Sequence, residues 1–405
     1  MVREEYMLNR NFTFLWCSQI ISTYGNKLTI FALPLVGIYV YNTNILETSI
    51  ITVLSFLPSL LFSTLVGVIV DKGNKRIIGI ITNLICFIIS IVLFIFSLTK
   101  QLPLEGFYIL IFLLNTCLLF GGISFYSQVP MLVDKNELKR ANYKMEISNS
   151  IIDTTAPSIA GIIFSVLSAP FIFIIDGVSF ILASICQMFI SSEVEKNTKK
   201  SNKKVVVHIK DAYKYIYKDR LLFVLAISYF MLVFGIGIFQ SIQFYYLSKV
   251  LEISTTIIGI IISIGNIGLV ISSIISFKIS EYFGGGKTII IAFFLYALGF
   301  LLYYLSDSAS VILIVIANIL IGAAMPLYNV NASTIRQGKV DISMLGSVSA
   351  IWRIFGRGMI PLGATIGGFI STVFSVKFSI LISFIVIFMS MIVCIFSKEL
   401  RKYKE

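Results

Sequence analysis

Charge is scarce in this sequence. Charged residues make up 13% of the 405 residues and hydrophobic residues 57%, whereas about 25% of a soluble domain is charged. So few charges cannot cover so much apolar surface in water, so lipid is the expected solvent. Histidine occurs once, as His208, and no two of the five cysteines stand at metal-ligand spacing. A metal cluster, a nucleophile elbow, paired catalytic carboxylates and a phosphate-binding loop are all missing from the pattern, so neither an enzyme nor a cofactor is expected. Cys17, Cys86, Cys117, Cys186 and Cys394 each lie in an apolar run and read as small core hydrophobes rather than disulfides. Also missing are the short alternating segments of barrel strands. The run Leu221–Ser248 contains no charged residue at all. A backbone in lipid must satisfy its own hydrogen bonds, and runs of this length do so as helices. The first apolar run, after Arg10, is too long for the core of a cleavable signal and is expected to be the first span.

Apolar runs predict twelve spans. The first six are Phe12–Val40, Thr48–Val70, Ile77–Leu98, Phe107–Val129, Ile147–Leu167 and Phe171–Ser191. The second six are Leu221–Leu247, Thr256–Phe277, Thr288–Leu305, Val311–Val330, Leu345–Ile370 and Phe378–Ser397. The expected organisation is an N-terminal six-helix bundle over residues 1–191, a basic cytoplasmic linker over 192–220 and a C-terminal bundle over 221–405. The net charge of +12 reads as loop lysine and arginine that set topology, not as a nucleic-acid surface. Of the 32 basic residues, 26 fall in alternate segments that include both termini; the opposite loops hold only Lys100, Lys249 and Lys377. Both ends are therefore expected in the cytoplasm; the isoleucine, lysine and asparagine bias fits an AT-rich bacterial genome, so the membrane expected is the bacterial cytoplasmic membrane. The stretches Pro130–Arg140 and Arg336–Asp341 occupy matching places in the two halves and point to an internal repeat. Repeat-built transporters hold substrate near mid-membrane.

The loop after the second span reads Gly67-Val-Ile-Val-Asp71-Lys72-Gly73-Asn74-Lys75-Arg76. It resembles the G-x-x-x-D-R-x-G-R-R signature of the major facilitator superfamily at Gly67, Asp71, Lys72, Lys75 and Arg76. The turn glycine is displaced by one, with Asn74 in its place as a residue that tolerates a left-handed backbone. The segment Asn9–Trp16, Leu57-Pro58, Ala141-Asn142 and Ile175–Phe180 resemble the macrolide-efflux and enterobactin-exporter branch of that superfamily. The resemblance implies an all-α integral membrane fold of twelve transmembrane helices in two pseudo-symmetric six-helix halves. It further implies a conformational gate in which Asp71 meets the positive end of the eleventh helix and Gly67 permits a close helix crossing. In the fifth span, Ala156, Pro157 and Gly161 resemble a degenerate form of the G-P-x-x-G-G element of exporters.

Polar residues recur on single faces of four spans: Gln19, Ser22, Asn26 and Thr29 in the first; Asn115, Gly122 and Tyr126 in the fourth; Gln240 and Gln243 in the seventh; Asn318, Gly322 and Asn329 in the tenth. In the superfamily these four spans line the central cavity, so Gln19, Asn26, Asn115, Gln240, Gln243, Asn318 and Asn329 are candidate cavity residues. Interhelical hydrogen bonding is the competing reading of each. Charges inside spans are costly and tend to be functional. Lys27, Arg353 and Arg357 join the cavity candidates and raise the hypothesis of an acidic substrate. Asp153, expected toward the cytoplasmic end of the fifth span, is the candidate proton site, and Asp176 reads as a structural hydrogen-bond acceptor. The expectation is a monomeric secondary-active exporter of an amphipathic drug-like or natural-product molecule, coupled to H+ and with no nucleic-acid partner. Uptake of a nutrient or siderophore, and a non-transporting sensor on the same scaffold, stay open.

Overall fold

The computed structural model of the chain describes residues 9–99, 101–134, 137–191, 209–307, 310–340 and 342–403. His208 lies outside the described residues, and the side chains of Arg353 and Arg357 lie outside them too. All regular structure among the described residues is helical. Six long helices come from the first half: α1 (Arg10–Val40), α2 (Ile45–Lys72), α3 (Lys75–Thr99), α4 (Leu104–Leu132), α5 (Leu138–Leu167) and α6 (Phe171–Met188). Six come from the second: α7 (Arg220–Tyr245), α8 (Thr255–Phe283), α9 (Gly285–Leu305), α10 (Val311–Lys339), α11 (Ile342–Val373) and α12 (Val376–Phe396). Ten helices among the described residues are long and apolar enough to cross a membrane. Helix α1 is not among the ten, because Gln19, Asn26 and Lys27 dilute its apolar content. In α11 the stretch Gly358–Val373 is an apolar helix among the described residues. Several helices run past their expected spans: α5 begins at Leu138 rather than Ile147, and α10 continues to Lys339.

The burial pattern inverts that of a soluble helix. Helix α3 buries Gly79, Thr82, Asn83, Cys86, Ser90 and Ser97, while Ile77, Ile81, Ile85, Ile88 and Ile95 stand exposed on its outer face. Isoleucine gains nothing by leaving hydrocarbon, whereas small and hydroxyl side chains let neighbouring helices approach and supply hydrogen bonds. Polar caps close the helix ends. Asn74 accepts a hydrogen bond from the Ile77 backbone N–H at 2.7 Å, so it caps α3. No positive φ occurs at Asn74, which corrects the expected left-handed turn. Asp219 caps α7 by accepting from the backbone N–H groups of Leu221 and Leu222 at 2.9 and 3.0 Å.

Chain compactness separates two units. The first comprises Met1–Asn42 and Leu57–Lys203, the second Thr43–Phe56 and Lys204–Glu405. In the first, α1 packs on α5 and α6, and α3 on α4 and α6. In the second, α7 packs on α11 and α12, and α9 on α10 and α12. The same order of partners recurs six helices later, as an internal repeat requires. Glycines set the closest crossings of the second unit. A Cβ at Gly237 of α7 would stand 2.6 Å from the Ile360 carbonyl oxygen of α11, and one at Gly367 equally close to the Ile238 carbonyl oxygen. Gly265 of α8 and Gly322 of α10 meet in the same way. The N-terminal part of α2 belongs to this unit, where Ser49 lies against Gly368 of α11 and donates to the Ser241 carbonyl at 3.5 Å.

Candidate substrate path and coupling residues

Two charged side chains meet in the first unit. Lys27 Nζ of α1 lies 2.7 Å from Asp153 Oδ1 of α5, with side-chain exposures of 39% and 35%. Helix α5 starts earlier than expected, so Asp153 sits at its middle and not toward its cytoplasmic end. Lys27 is likewise near the middle of α1. Both side chains are part-exposed, so water screens the pair in part while each member relieves the desolvation cost of the other. Lys27 therefore has a carboxylate partner, which removes it as support for an acidic substrate.

A second acid anchors the same helix. Asp176 of α6 is fully buried. It accepts hydrogen bonds from Thr29 Oγ1 at 2.6 Å and Ser179 Oγ at 3.2 Å. A Cβ at Gly25 would stand 2.5 Å from Asp176 Oδ1, so only glycine admits this carboxylate against α1. The arrangement is structural and takes Thr29 out of the polar stripe expected on α1. Gln19 and Ser22 bond within their own helix, to Thr23 Oγ1 and the Ser18 carbonyl. Asn115 likewise donates to the Ile111 carbonyl of its own helix at 2.9 Å. Asn26 differs: its Oδ1 is buried and has no hydrogen-bond partner.

In the second unit the polar candidates divide. Gln243 Nε2 and Asn318 Nδ2 both donate to the buried hydroxyl of Tyr303, at 3.2 and 2.6 Å. This ties α7, α9 and α10 together and makes both amides structural. Tyr303 was not legible as their partner, since nothing in the Tyr303-Tyr304 pair tells which ring faces inward. Gly322 serves the α8–α10 crossing rather than a cavity. Asn329 is exposed, and Gln240 carries a buried, unpartnered Oε1. Of the expected cavity set, Asn26 and Gln240 thus keep a free buried amide oxygen, one in each unit.

The signature residues of the α2–α3 turn are mostly exposed. Asp71 and Lys72 are exposed, and a Cβ at Gly67 would meet nothing within 4 Å. Its neighbours Val66 and Val70 point the other way, into a cluster with Leu119 of α4. Arg76 donates to the carbonyls of Gln187 and Met188 at 3.0 and 2.5 Å, placing a cation at the negative end of α6. Lys75 contributes its backbone carbonyl to Ser124 and Gln128 of α4. In α5, Ala156, Ala160 and Gly161 are buried and Pro157 is half-buried within an unbroken helix.

The sequence profile of the Major Facilitator Superfamily matches residues 15–252 and 225–405, covering both halves of the chain. The chain belongs to the Major Facilitator Superfamily. It is accordingly a multi-pass, bilayer-embedded secondary transporter of small molecules and not an enzyme. Macrolide efflux protein A of Streptococcus pyogenes is 30% identical over 138 residues, which is 34% of this chain and 34% of that protein. The protein of the same name from Enterococcus faecalis is 29% identical over 140 residues, 34% of this chain and 43% of its own length. The match thus spans well under half the length of these curated relatives. Among solved structures, a D323A mutant of the nucleoside transporter NupG superposes with TM-score 0.80 at 13% identity, over 95% of this chain and 99% of the other. A bacterial homologue of the iron transporter ferroportin gives 0.75 at 14% identity, over 97% and 99%. Identities this low establish the fold alone.

Proposed function

We propose that this superfamily member exports a bulky amphipathic molecule of drug or natural-product type from the bacterial cytoplasm, by alternating access driven by H+ antiport. The observation that carries the direction is the 138-residue likeness to Macrolide efflux protein A of Streptococcus pyogenes. The small-residue and proline face of α5 at Ala156, Pro157 and Gly161 supports the same direction. In this reading all twelve long helices cross the membrane, both termini are cytoplasmic, and the protein works as a monomer. Asp71, with Lys72, Lys75 and Arg76, forms the cytoplasmic gate, and Asn26 and Gln240 offer acceptors to the cargo.

Asp153 is the proposed proton carrier because it pairs with Lys27 near the middle of both helices and is part-exposed. Protonation of Asp153 removes the negative member of the pair, and Lys27 is released from α5. That exchange of partners between α1 and α5 is a discrete rearrangement that a proton gradient can drive. The test is a compound-susceptibility panel in cells making the wild type, Asp71→Asn or Asp153→Asn at equal membrane levels. Lower susceptibility with the wild type, lost in both variants, supports gated and proton-linked export. Unchanged susceptibility to every compound would refute export.

A further inference from the structure

The second unit contains a group of buried hydrogen-bond donors that the proposed transport path does not use. Arg336 lies in the last turn of α10. Its guanidinium carbon sits 5.2 Å from the centroid of the Trp352 ring of α11, within cation–π range. Tyr328, two turns earlier on α10, stacks on Tyr229 of α7 with centroids 5.5 Å apart and rings 7° from parallel. Phe293 of α9 closes the other side of Tyr328 with an edge contact at 5.5 Å. Tyr328 and Trp352 are only 3% and 6% exposed. The Tyr229 hydroxyl rests where a Cβ would stand on Gly356, 2.5 Å away, so glycine keeps this wall flat.

Arg336 Nε, Trp352 Nε1 and the Tyr328 hydroxyl are all buried and make no hydrogen bond of normal geometry among the described residues, the indole N–H facing the Tyr328 oxygen. Arg336 joins none of the ion pairs among the described residues; the nearby Lys339 takes Asp219 at 3.7 Å. An arginine in the last turn of a helix ordinarily bonds its carbonyls, yet this Nε bonds none. A buried donor left without an acceptor costs about 1–3 kcal/mol. Buried donors from two adjoining helices, one of them a cation that joins no ion pair among the described residues, describe a site that acceptors complete.

We infer that Arg336, Trp352 and Tyr328 form a binding site for an anionic group, a carboxylate or phosphate, with the Tyr229–Tyr328 stack as a flat wall for a planar substituent. Arg336 is half-buried and Tyr229 likewise, so the group has an open side. The anion comes from a soluble small molecule or from a lipid headgroup. The site stands on the geometry of one unit and does not depend on the proposed cargo or direction.

The chain has two tryptophans, so Trp16→Phe leaves Trp352 as the only indole reporter. Purified full-length Trp16→Phe protein in neutral detergent is titrated with benzoate, with inorganic phosphate, and with benzamide as the uncharged control. The expected result is saturable quenching by at least one of the anions, none by benzamide, and at least tenfold weaker binding after Arg336→Gln. Arg336→Lys and Tyr328→Phe should fall between, with size-exclusion profiles unchanged. In nanodiscs, a Trp352 emission change on replacing phosphatidylcholine by phosphatidylglycerol, lost in Arg336→Gln, also supports the site and assigns it to lipid phosphate. Trp352 emission that ignores benzoate, phosphate and phosphatidylglycerol alike overturns the inference. So does a response of equal size with and without Arg336. Neither readout involves transport, so failure here leaves the export reading standing, and the reverse holds.

Discussion

Removing both members of the Lys27–Asp153 pair should cost less stability than the sum of removing each alone. At 2.7 Å, two unit charges attract by about 6 kcal/mol at an effective dielectric near 20 and by about 1.5 kcal/mol in bulk water. Each side chain is more than a third exposed, so screening and the cost of desolvating both ions take most of the larger figure. A net coupling of about 1–2 kcal/mol is the expected remainder. Lys27→Met alone leaves a lone carboxylate near the middle of α5, and Asp153→Leu alone leaves a lone ammonium near the middle of α1. Each should cost about 2–3 kcal/mol, near the insertion cost of a lone charge at a helix centre. The double variant should cost less than the sum of the two. Equilibrium unfolding in mixed micelles across the four-protein cycle measures the difference. Additivity within about 0.5 kcal/mol would show that the two charges do not couple, and the reasoning from their contact would fail.

Three further outcomes follow from named contacts. Gly367→Leu should destabilise by about 3 kcal/mol or more by forcing α7 and α11 apart, whereas Gly67→Leu, beside open space, should leave the unfolding midpoint unchanged; similar midpoints for the two would refute the packing assignment. Tyr303→Phe should cost about 1–3 kcal/mol by leaving the Gln243 and Asn318 amide donors without their shared acceptor, with part of the loss recovered in a Gln243→Leu background; denaturant titration of the three proteins decides. Asn74→Gly should lower stability by a few tenths of a kcal/mol and Asn74→Ala by about 1 kcal/mol, the order for an N-cap; a gain with glycine in the same assay would restore the left-handed turn.

The fold was more legible than the site. Long uncharged runs such as Leu221–Ser248 announce helices in lipid, because no other backbone arrangement satisfies itself there. Helix ends were less legible. The polar turns that carry α5 back to Leu138 and α10 on to Lys339 lie beyond the apolar windows, where hydropathy says nothing. That overshoot moved Asp153 to the middle of its helix and brought Arg336, read as a topology-setting loop residue, into contact with Trp352. A register of three and four along α1 placed Gln19, Ser22, Asn26 and Thr29 on one face, yet Thr29 turned to Asp176 while Asn26 kept a free amide oxygen.

By itself the sequence determined the solvent, the helical class and the superfamily, since these depend on composition, run length and a local signature. Only the tertiary structure decided which polar group meets which. Helical periodicity specifies the direction in which a side chain leaves its own axis; what it reaches depends on a second helix whose rotation and depth are set by packing. Lys27 was a lone cation in the sequence and half of an ion pair in the fold. Arg336 was one loop charge among many, and the fold set it against an indole ring with an unpaired Nε.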